Sequence, residues 1–225
     1  MSLVYEHIKK ISDEYTYHLS EDNKKYLYSL KKTGFEPDVI YDIGAGALIW
    51  TRFCETLWPN AKYIVFDAFS PFEELYKEFD YDYYIGALSD FDEKTVKFYQ
   101  NEFFFFQNSY YREVSCECIN NYDIDDYVEM TTASLNTICK KRDFPEPDLV
   151  HIDVQGAEKD VIIGGNIAIS TAQRLIVNMH HEECKVLAPR VYQIFPVIFA
   201  QGWRCDAPIF SDNGSDGDYG FYKNI

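Results

Sequence analysis

The sequence lacks any apolar run of the ~18 residues that a membrane-spanning helix needs, and its first residues lack the pattern of a secretion signal. It is also poor in basic residues, with 21 Lys and Arg against 37 Asp and Glu and a formal net charge of −16. Proteins that bind along nucleic-acid phosphates usually have the opposite balance. We therefore expect neither a nucleic acid nor a membrane as a partner.

The sequence has no C-x-x-C pair, so the spacing typical of zinc sites and dithiol redox motifs is missing. Without a secretion signal, the cysteines are interpreted as reduced, packed thiols, and a cytoplasmic protein is expected. The six cysteines are Cys54, Cys116, Cys118, Cys139, Cys184 and Cys205.

No repeat and no Pro/Gly/Ser-rich linker divides the 225 residues, a length that fits one domain. Residues 1–37 are polar and helix-prone, and Gly34 and Pro37 close this N-terminal helical segment. Residues 38–225 are predicted to form a single domain. Within it, residues 91–133 break the pattern of the neighbouring segments and predict a β-rich insertion beside the mouth of a sheet.

Short β-rich runs alternate with segments of helical spacing through most of the chain. This alternation predicts an α/β fold with a mostly parallel, doubly wound sheet covered on both faces. Two last strand-like runs, joined by turn residues, predict an antiparallel pair at one edge. The predicted strands are Val39–Ala45, Tyr63–Ala68, Asp82–Ser89, Asp148–Gln155, Arg174–His181, Trp203–Ser211 and Tyr219–Lys223.

Ligands of doubly wound sheets bind beyond the carboxyl ends of the strands, and small or acidic residues stand at several of these ends. The first strand ends in a turn of small residues that lets a ligand approach the backbone. The carboxylate of Asp67, after the second strand, can accept hydrogen bonds from both hydroxyls of an adenosine ribose. The candidate cofactor-binding residues are Asp42, Gly44, Ala45, Gly46, Asp67, Ala68, Ser89, Asp90 and Asp153.

Two cofactors fit this frame, a nicotinamide dinucleotide and S-adenosylmethionine. The dinucleotide requires G-x-G-x-x-G to hold a pyrophosphate, but the third glycine is replaced by Ile49. S-adenosylmethionine has no phosphate, and Asp42 stands where its ammonium group can be held. We therefore favour S-adenosylmethionine and keep a nicotinamide-dependent oxidoreductase as the alternative.

Three motifs in order resemble the FkbM family of S-adenosylmethionine-dependent methyltransferases: Asp42-x-Gly44-Ala45, Ala87–Asp90 (ALSD) and Ile152–Glu158 (IDVQGAE). The resemblance implies a class I (Rossmann-like) methyltransferase fold and methyl transfer to an oxygen, commonly a sugar hydroxyl of a glycan or small glycoside. The sequence departs from the family pattern at Leu48, where a glycine is usual, and at Asp67-Ala68, where Glu-Pro is common. These departures leave open a catalytically impaired relative that binds a glycan or a partner.

Methyl transfer requires the acceptor oxygen in line with the leaving sulfur and a group that takes the hydroxyl proton. We predict His181, at the end of the fifth strand, as the base, because histidine titrates near neutral pH. Asp153 would hold the cofactor amino group or the acceptor hydroxyl, and Glu158 is a further candidate. A divalent metal on these three residues is the minority alternative, so no metal is expected. His151, inside an apolar strand, is interpreted as a packed core residue.

The predicted insertion contains a polar and aromatic stretch that suits a sugar. Aromatic rings can pack on the apolar faces of a sugar, and amide and hydroxyl groups can bond its edges. The candidate substrate residues are Asn108, Ser109 and Tyr110. The alternative for this stretch is a surface hairpin that covers the edge of the sheet.

Overall fold

The computed structural model describes residues 2–15, 19–102, 104–114, 126–183, 185–210 and 216–223. Cys116, Cys118, Cys184 and part of the predicted insertion lie outside these ranges. The helices are α1 (Leu3–Tyr15), α2 (Glu21–Lys32), α3 (Ile49–Leu57), α4 (Phe72–Glu78), α5 (Leu135–Arg142), α6 (Glu158–Gly164) and α7 (Val191–Ala200). The strands are β1 (Val39–Ile43), β2 (Lys62–Asp67), β3 (Asp82–Ile85), β4 (Thr95–Tyr99), β5 (Tyr127–Thr131), β6 (Leu149–Ile152), β7 (Arg174–His180), β8 (Arg204–Phe210) and β9 (Asp216–Tyr222).

Seven strands form one sheet in the order β3-β2-β1-β6-β7-β9-β8. The pairs β3–β2, β2–β1, β1–β6 and β6–β7 are parallel, and β9 runs antiparallel to both β7 and β8. The predicted fold, a mostly parallel α/β sheet with antiparallel strands at its C-terminal edge, is confirmed. The parallel order places the carboxyl ends of β1, β2 and β6 side by side.

Helices cover both faces of the sheet, as expected for buried apolar strands. Because successive strand residues face opposite sides, Ile40 and Asp42 of β1 point toward α2 and α3, and Tyr41 and Ile43 toward α5, α6 and α7. Asp42 is therefore a polar residue near the end of an otherwise apolar row. This position places its side chain under α3.

The N-terminal helices pack on the sheet domain. Ile8 of α1 is fully buried beside α4, and Leu27 of α2 is fully buried against the strands and α3. The side-chain amide of Asn23 in α2 donates to Asp218 of β9. None of the helices in the described ranges is long and apolar enough to cross a bilayer.

Strands β4 and β5 form a separate antiparallel hairpin within residues 91–133. Between these two strands the chain returns to the end of β4, where Ser109 and Tyr99 exchange two backbone hydrogen bonds of 2.8 and 3.0 Å. Phe98 and Phe105 of this segment are buried against α1 and α4. The segment is therefore held against the carboxyl end of the large sheet.

Several predicted boundaries were wrong: β1 ends at Ile43 rather than Ala45, β6 ends at Ile152 rather than Gln155, and β9 begins at Asp216 rather than Tyr219. The third strand ends at Ile85, not Ser89, because the N–H of Ser89 bonds instead to the carbonyl oxygen of Ala133, two residues before α5 begins. The sequence pattern after the fifth strand also predicts a helix from near Cys184 to Gln201, but this helix begins at Val191. Leu187 has a φ of +62°, and Pro189 has no N–H to donate, so the chain before Val191 is not helical.

Candidate active site

The turns after β1 and β6 touch at Gly44. Its φ is +86°, and a Cβ added there would lie 1.8 Å from the carbonyl oxygen of Asp153. The N–H of Gly44 donates to the carbonyl oxygen of Phe66 in β2, and the N–H of Asp153 donates to that of Ile43 in β1, each at 2.8 Å. Only glycine permits this approach of the three strand ends.

Asp67, at the end of β2, is held by backbone amides. Its Oδ2 accepts from the N–H of Gly46 and its Oδ1 from the N–H of Phe69, both at 2.9 Å. Burial raises the pKa of Asp67 to about 6, although these amides favour the charged form. The remaining lone pairs of the carboxylate can accept hydrogen bonds from a ligand.

Glu158 organises the turn that follows β6. Its carboxylate is fully buried and accepts from the N–H groups of Val154 at 3.1 Å and Gly156 at 2.9 Å. Burial raises the pKa of Glu158 to about 7, against the backbone hydrogen bonds that lower it. Glu158 thus holds the loop that carries Asp153.

Two adjacent cavities open at this edge of the sheet. Gly44, Gly46, Phe106 and Asp153 line both of them. Of the predicted site residues, the first cavity is lined by Gly44, Gly46, Asp67, Ala68, Asn108, Ser109, Tyr110 and Asp153. The second cavity is lined by Asp42, Gly44, Ala45, Gly46 and Asp153 from that set. The fold therefore gathers most of the predicted residues around one connected site.

Asp153 stands on the shared wall of the cavities. Burial raises the pKa of its carboxyl to about 7, the positive charge of His151 opposes this, and the negative charge of Asp218 adds to it. The side-chain amide of Gln155 donates to its Oδ1 at 2.8 Å. A carboxyl of this kind changes protonation near neutral pH.

Four predicted residues line neither cavity. Ser89 and Asp90 follow the connection after β3, where the hydroxyl of Ser89 donates to Asp90 Oδ1 at 3.1 Å. Glu158 is buried beneath its own turn. His181 follows β7 and has its Nε2 2.7 Å from the hydroxyl of Tyr219. The roles of all four stay predictions.

The candidate substrate residues form a wall of the first cavity, and their polar groups also hold the insertion. Asn108 Oδ1 accepts from the N–H of Asn101 at 2.7 Å, and Ser109 Oγ accepts from that of Tyr111 at 3.0 Å. The hydroxyl of Tyr110 donates to Asp160 of α6 at 2.9 Å. The insertion is thereby joined to the helix after β6.

Sequence reasoning missed several residues of the second cavity: Trp50, Phe106, His151 and Asp218. His151 stands inside an apolar strand, and this interruption by a polar residue was the available signal for it. Asp218 follows Asp216 and Gly217 near the start of β9, so the sequence around it gave no such signal. The meaning of the signal at His151 depends on which strands are neighbours, which the sequence pattern alone does not give.

Within the described ranges, no group of three or more His, Cys, Asp or Glu side chains is arranged to hold a metal ion. The thiols of Cys54, Cys139 and Cys205 are free. The site is therefore built from carboxylates, glycine turns and aromatic rings.

The strand order, the glycine turn after β1 and the carboxylate after β2 define a class I methyltransferase fold. A family model described as the methyltransferase FkbM domain matches residues 42–204, more than half of the chain. The chain belongs to the FkbM family of S-adenosylmethionine-dependent methyltransferases. The predicted family, enzyme class and cofactor are thereby confirmed.

Known structures with a similar fold include two methyltransferases. The magnesium protoporphyrin IX methyltransferase of Synechocystis with bound SAH is 10% identical, with a TM-score of 0.48 over 100% of this chain and 89% of that one. The precorrin-6y C5,15-methyltransferase of Geobacter metallireducens is 12% identical, with a TM-score of 0.45 over 83% and 80%. Comparison with curated protein sequences gave no significant match. The family assignment depends on the family model.

The contact at Gly44 predicts that Gly44→Ala destabilises the protein more than Gly46→Ala. Both residues have positive φ, but a Cβ at Gly46 would meet nothing nearer than 3.9 Å, whereas one at Gly44 would meet a carbonyl oxygen. We expect an excess loss of about 1–3 kcal/mol in the free energy of unfolding for Gly44→Ala. Urea unfolding of both variants measures it, and equal losses would contradict the proposed contact.

The raised pKa of Glu158 predicts a pH-dependent effect of Glu158→Gln, which keeps an acceptor oxygen for the backbone amides. The folded protein favours the neutral carboxyl of Glu158. Its contribution to the stability of the wild-type protein is therefore fully present below pH ~4.5 and is lost as the pH rises through about 7. The variant should therefore gain stability relative to wild type between pH 5 and pH 8, by up to ~3 kcal/mol. Urea unfolding at both pH values measures the difference, and parallel curves would refute it.

Proposed function

We propose that this chain transfers a methyl group from S-adenosylmethionine to a hydroxyl oxygen of a sugar, in a glycan or a small glycoside. The observation that carries the proposal is the first cavity, where Gly44, Asp67 and Asp153 meet from the ends of three strands. The donor supplies a methyl group on a sulfonium cation whose sulfur leaves uncharged. Carboxylates on the cavity wall favour a ligand with this positive charge.

The residues of the first cavity fit the donor. Gly46 lines the cavity without a side chain, so a ligand can approach its backbone, and the amide-held carboxylate of Asp67 suits the paired hydroxyls of a ribose. Asp153 is the carboxylate that would hold the donor's ammonium group. Asp42, predicted for the same role, lines only the second cavity, and both of its oxygens are bonded within the protein. Ile49 occupies the position where a pyrophosphate-binding turn needs glycine, which disfavours a dinucleotide.

The second cavity offers the groups that a sugar acceptor needs. Its carboxylates can accept hydrogen bonds from sugar hydroxyls. Phe106 lies on the boundary of both cavities with 47% of its surface exposed, so its ring can pack on the apolar face of a sugar. Tyr110, on the wall of the first cavity, adds a second aromatic surface. Asn108 and Ser109 stay candidates for contact with the acceptor.

Asp153 and Glu158 have different proposed roles. Asp153 lies on the wall shared by the cavities, so it can hold the ammonium group or orient the acceptor hydroxyl. Glu158 is a positioning residue, because it acts through the backbone of the turn that carries Asp153. His181 lines neither cavity. As the base, it would therefore have to reach the acceptor hydroxyl from outside the second cavity.

Asp67→Ala is expected to weaken binding of S-adenosylmethionine by about 10- to 100-fold, because hydrogen bonds to a charged group contribute about 1.5–3 kcal/mol. Isothermal titration calorimetry measures the dissociation constant. Asp82→Ala is the matched control, since Asp82 begins β3 at the opposite end of the sheet and forms an ion pair with Lys62 at 2.6 Å. Equal affinity in both variants would reject the ribose contact.

A methyl-labelled donor, incubated with the protein and a panel of sugars, glycosides, peptides and lipids, tests the acceptor class. We expect label on a sugar oxygen, located by mass spectrometry of the product. Label on a peptide or lipid would reject the sugar and keep the enzyme class. Donor binding without any labelled product would instead support the catalytically impaired relative.

A further inference from the structure

A buried Asp–His pair lies between β1 and β6. Asp42 and His151 are paired in register on these neighbouring strands, and Asp42 Oδ1 is 2.8 Å from His151 Nδ1. The other carboxylate oxygen of Asp42 accepts a hydrogen bond from the hydroxyl of Thr51 in α3. Asp42 is 1% exposed and Thr51 is fully buried, so this chain of bonds is shielded from water.

The imidazole of His151 is also fixed by stacking. The ring of Trp50, in the first turn of α3, lies parallel to it, with 4.4 Å between ring centroids and 6° between planes. A ring held by a carboxylate at one edge and an indole on one face has little freedom to rotate. Its orientation is therefore set before any ligand arrives.

This orientation leaves the second nitrogen for a ligand. Because Nδ1 faces Asp42, the neutral imidazole carries its proton on Nδ1, and Nε2 keeps a free lone pair. Across the part of the chain that the structure describes, Nε2 has no hydrogen-bond partner, and His151 lines the second cavity. The arrangement is that of a general base whose tautomer is set by a buried carboxylate.

The charged groups around His151 are all carboxylates: Asp42 on β1, Asp153 after β6 and Asp218 on β9. Burial opposes a positive charge on the ring, but the hydrogen bond and charge of Asp42, with Asp218 and Asp153, outweigh it and raise the pKa of His151. These groups therefore stabilise the imidazolium that forms when the ring accepts a proton. Asp218 is itself held by the amides of Asn23 and Asn178.

We propose that His151 is the catalytic base of the transfer reaction and that the second cavity is the acceptor pocket. This inference rests on the proposed function. The acceptor O–H bond breaks, its proton forms an N–H bond at Nε2, and the oxygen uses the freed electron pair to bond the transferred methyl carbon. The bond from that carbon to the donor sulfur breaks at the same time, and its electron pair stays on the sulfur, which leaves as a neutral thioether. The imidazolium then returns its proton to water. Asp42 and Thr51 act as positioning residues through His151.

His151→Gln tests the proposal, because it keeps a polar side chain of similar length and removes the base. Loss of general-base catalysis typically costs 10²–10⁴-fold, so we expect kcat/KM to fall at least ~100-fold. Calorimetry should give a donor dissociation constant within about threefold of wild type. The kcat/KM of the wild-type protein should rise with pH as His151 loses its proton, and the pH–rate profile of the variant should lack this rise.

His180→Gln is the matched control. His180 is buried to the same degree as His151, at 7% against 6% exposed, but it lines neither cavity. It should retain wild-type kcat/KM within about threefold. An active His151→Gln variant would overturn the proposal, and so would loss of activity in His181→Gln alone. A wild-type protein that binds no donor would instead reject the proposed function.

The tautomer of His151 gives a readout that needs no activity and no variant. Long-range ¹H–¹⁵N NMR of the wild-type protein without ligand should find the neutral ring of His151 protonated at Nδ1. Asp42→Asn should lower kcat/KM and alter this tautomer without a matching loss of donor affinity. A neutral ring protonated at Nε2 in the wild-type protein would overturn the proposal, because no lone pair would then face the cavity.

Discussion

The candidate active site depends on the close contact between the turns that follow β1 and β6. At Gly44 the backbone of one turn meets the carbonyl oxygen of Asp153 in the other, with no room for a side chain. The same two turns bond to the ends of β2 and β1 through backbone amides. Because the three strand ends are held together here, the carboxylates that follow them line one connected pair of cavities.

Burial of negative charge is the second constraint. Burial raises the pKa of Asp67, Asp153 and Glu158 to between about 6 and 7, so the folded protein holds acids that ionise near neutral pH. Backbone amides compensate Asp67 and Glu158, whereas the described partners of Asp153 are the side-chain amide of Gln155 and the charge of His151. A cationic donor beside these groups would offset the remaining cost. The charge of the site and the charge of the proposed ligand are thus complementary.

Much of the fold followed from the sequence, because apolar runs of strand length alternate with helical segments. The motif from Ile152 to Glu158 also located the turn after β6 correctly. The third strand was predicted too long, because apolar residues continue in the sequence after Ile85, the last residue of β3 that pairs with β2. Ser89 and Asp90 therefore lie beyond the strand end and line neither cavity, and the N–H of Ser89 bonds to Ala133 before α5.

The histidines separate what the sequence determined from what the tertiary structure decided. The sequence by itself determined the fold class, the family and the approximate positions of β1, β2 and β6, since these depend on local pattern and on motifs of contiguous residues. It did not distinguish His151 from a core residue. Only the pairing of β1 with β6 brings Asp42, 109 positions away, to its Nδ1, and only α3 places Trp50 on its ring. Strand order and register are properties of the folded chain, so the orientation of a buried histidine is decided there.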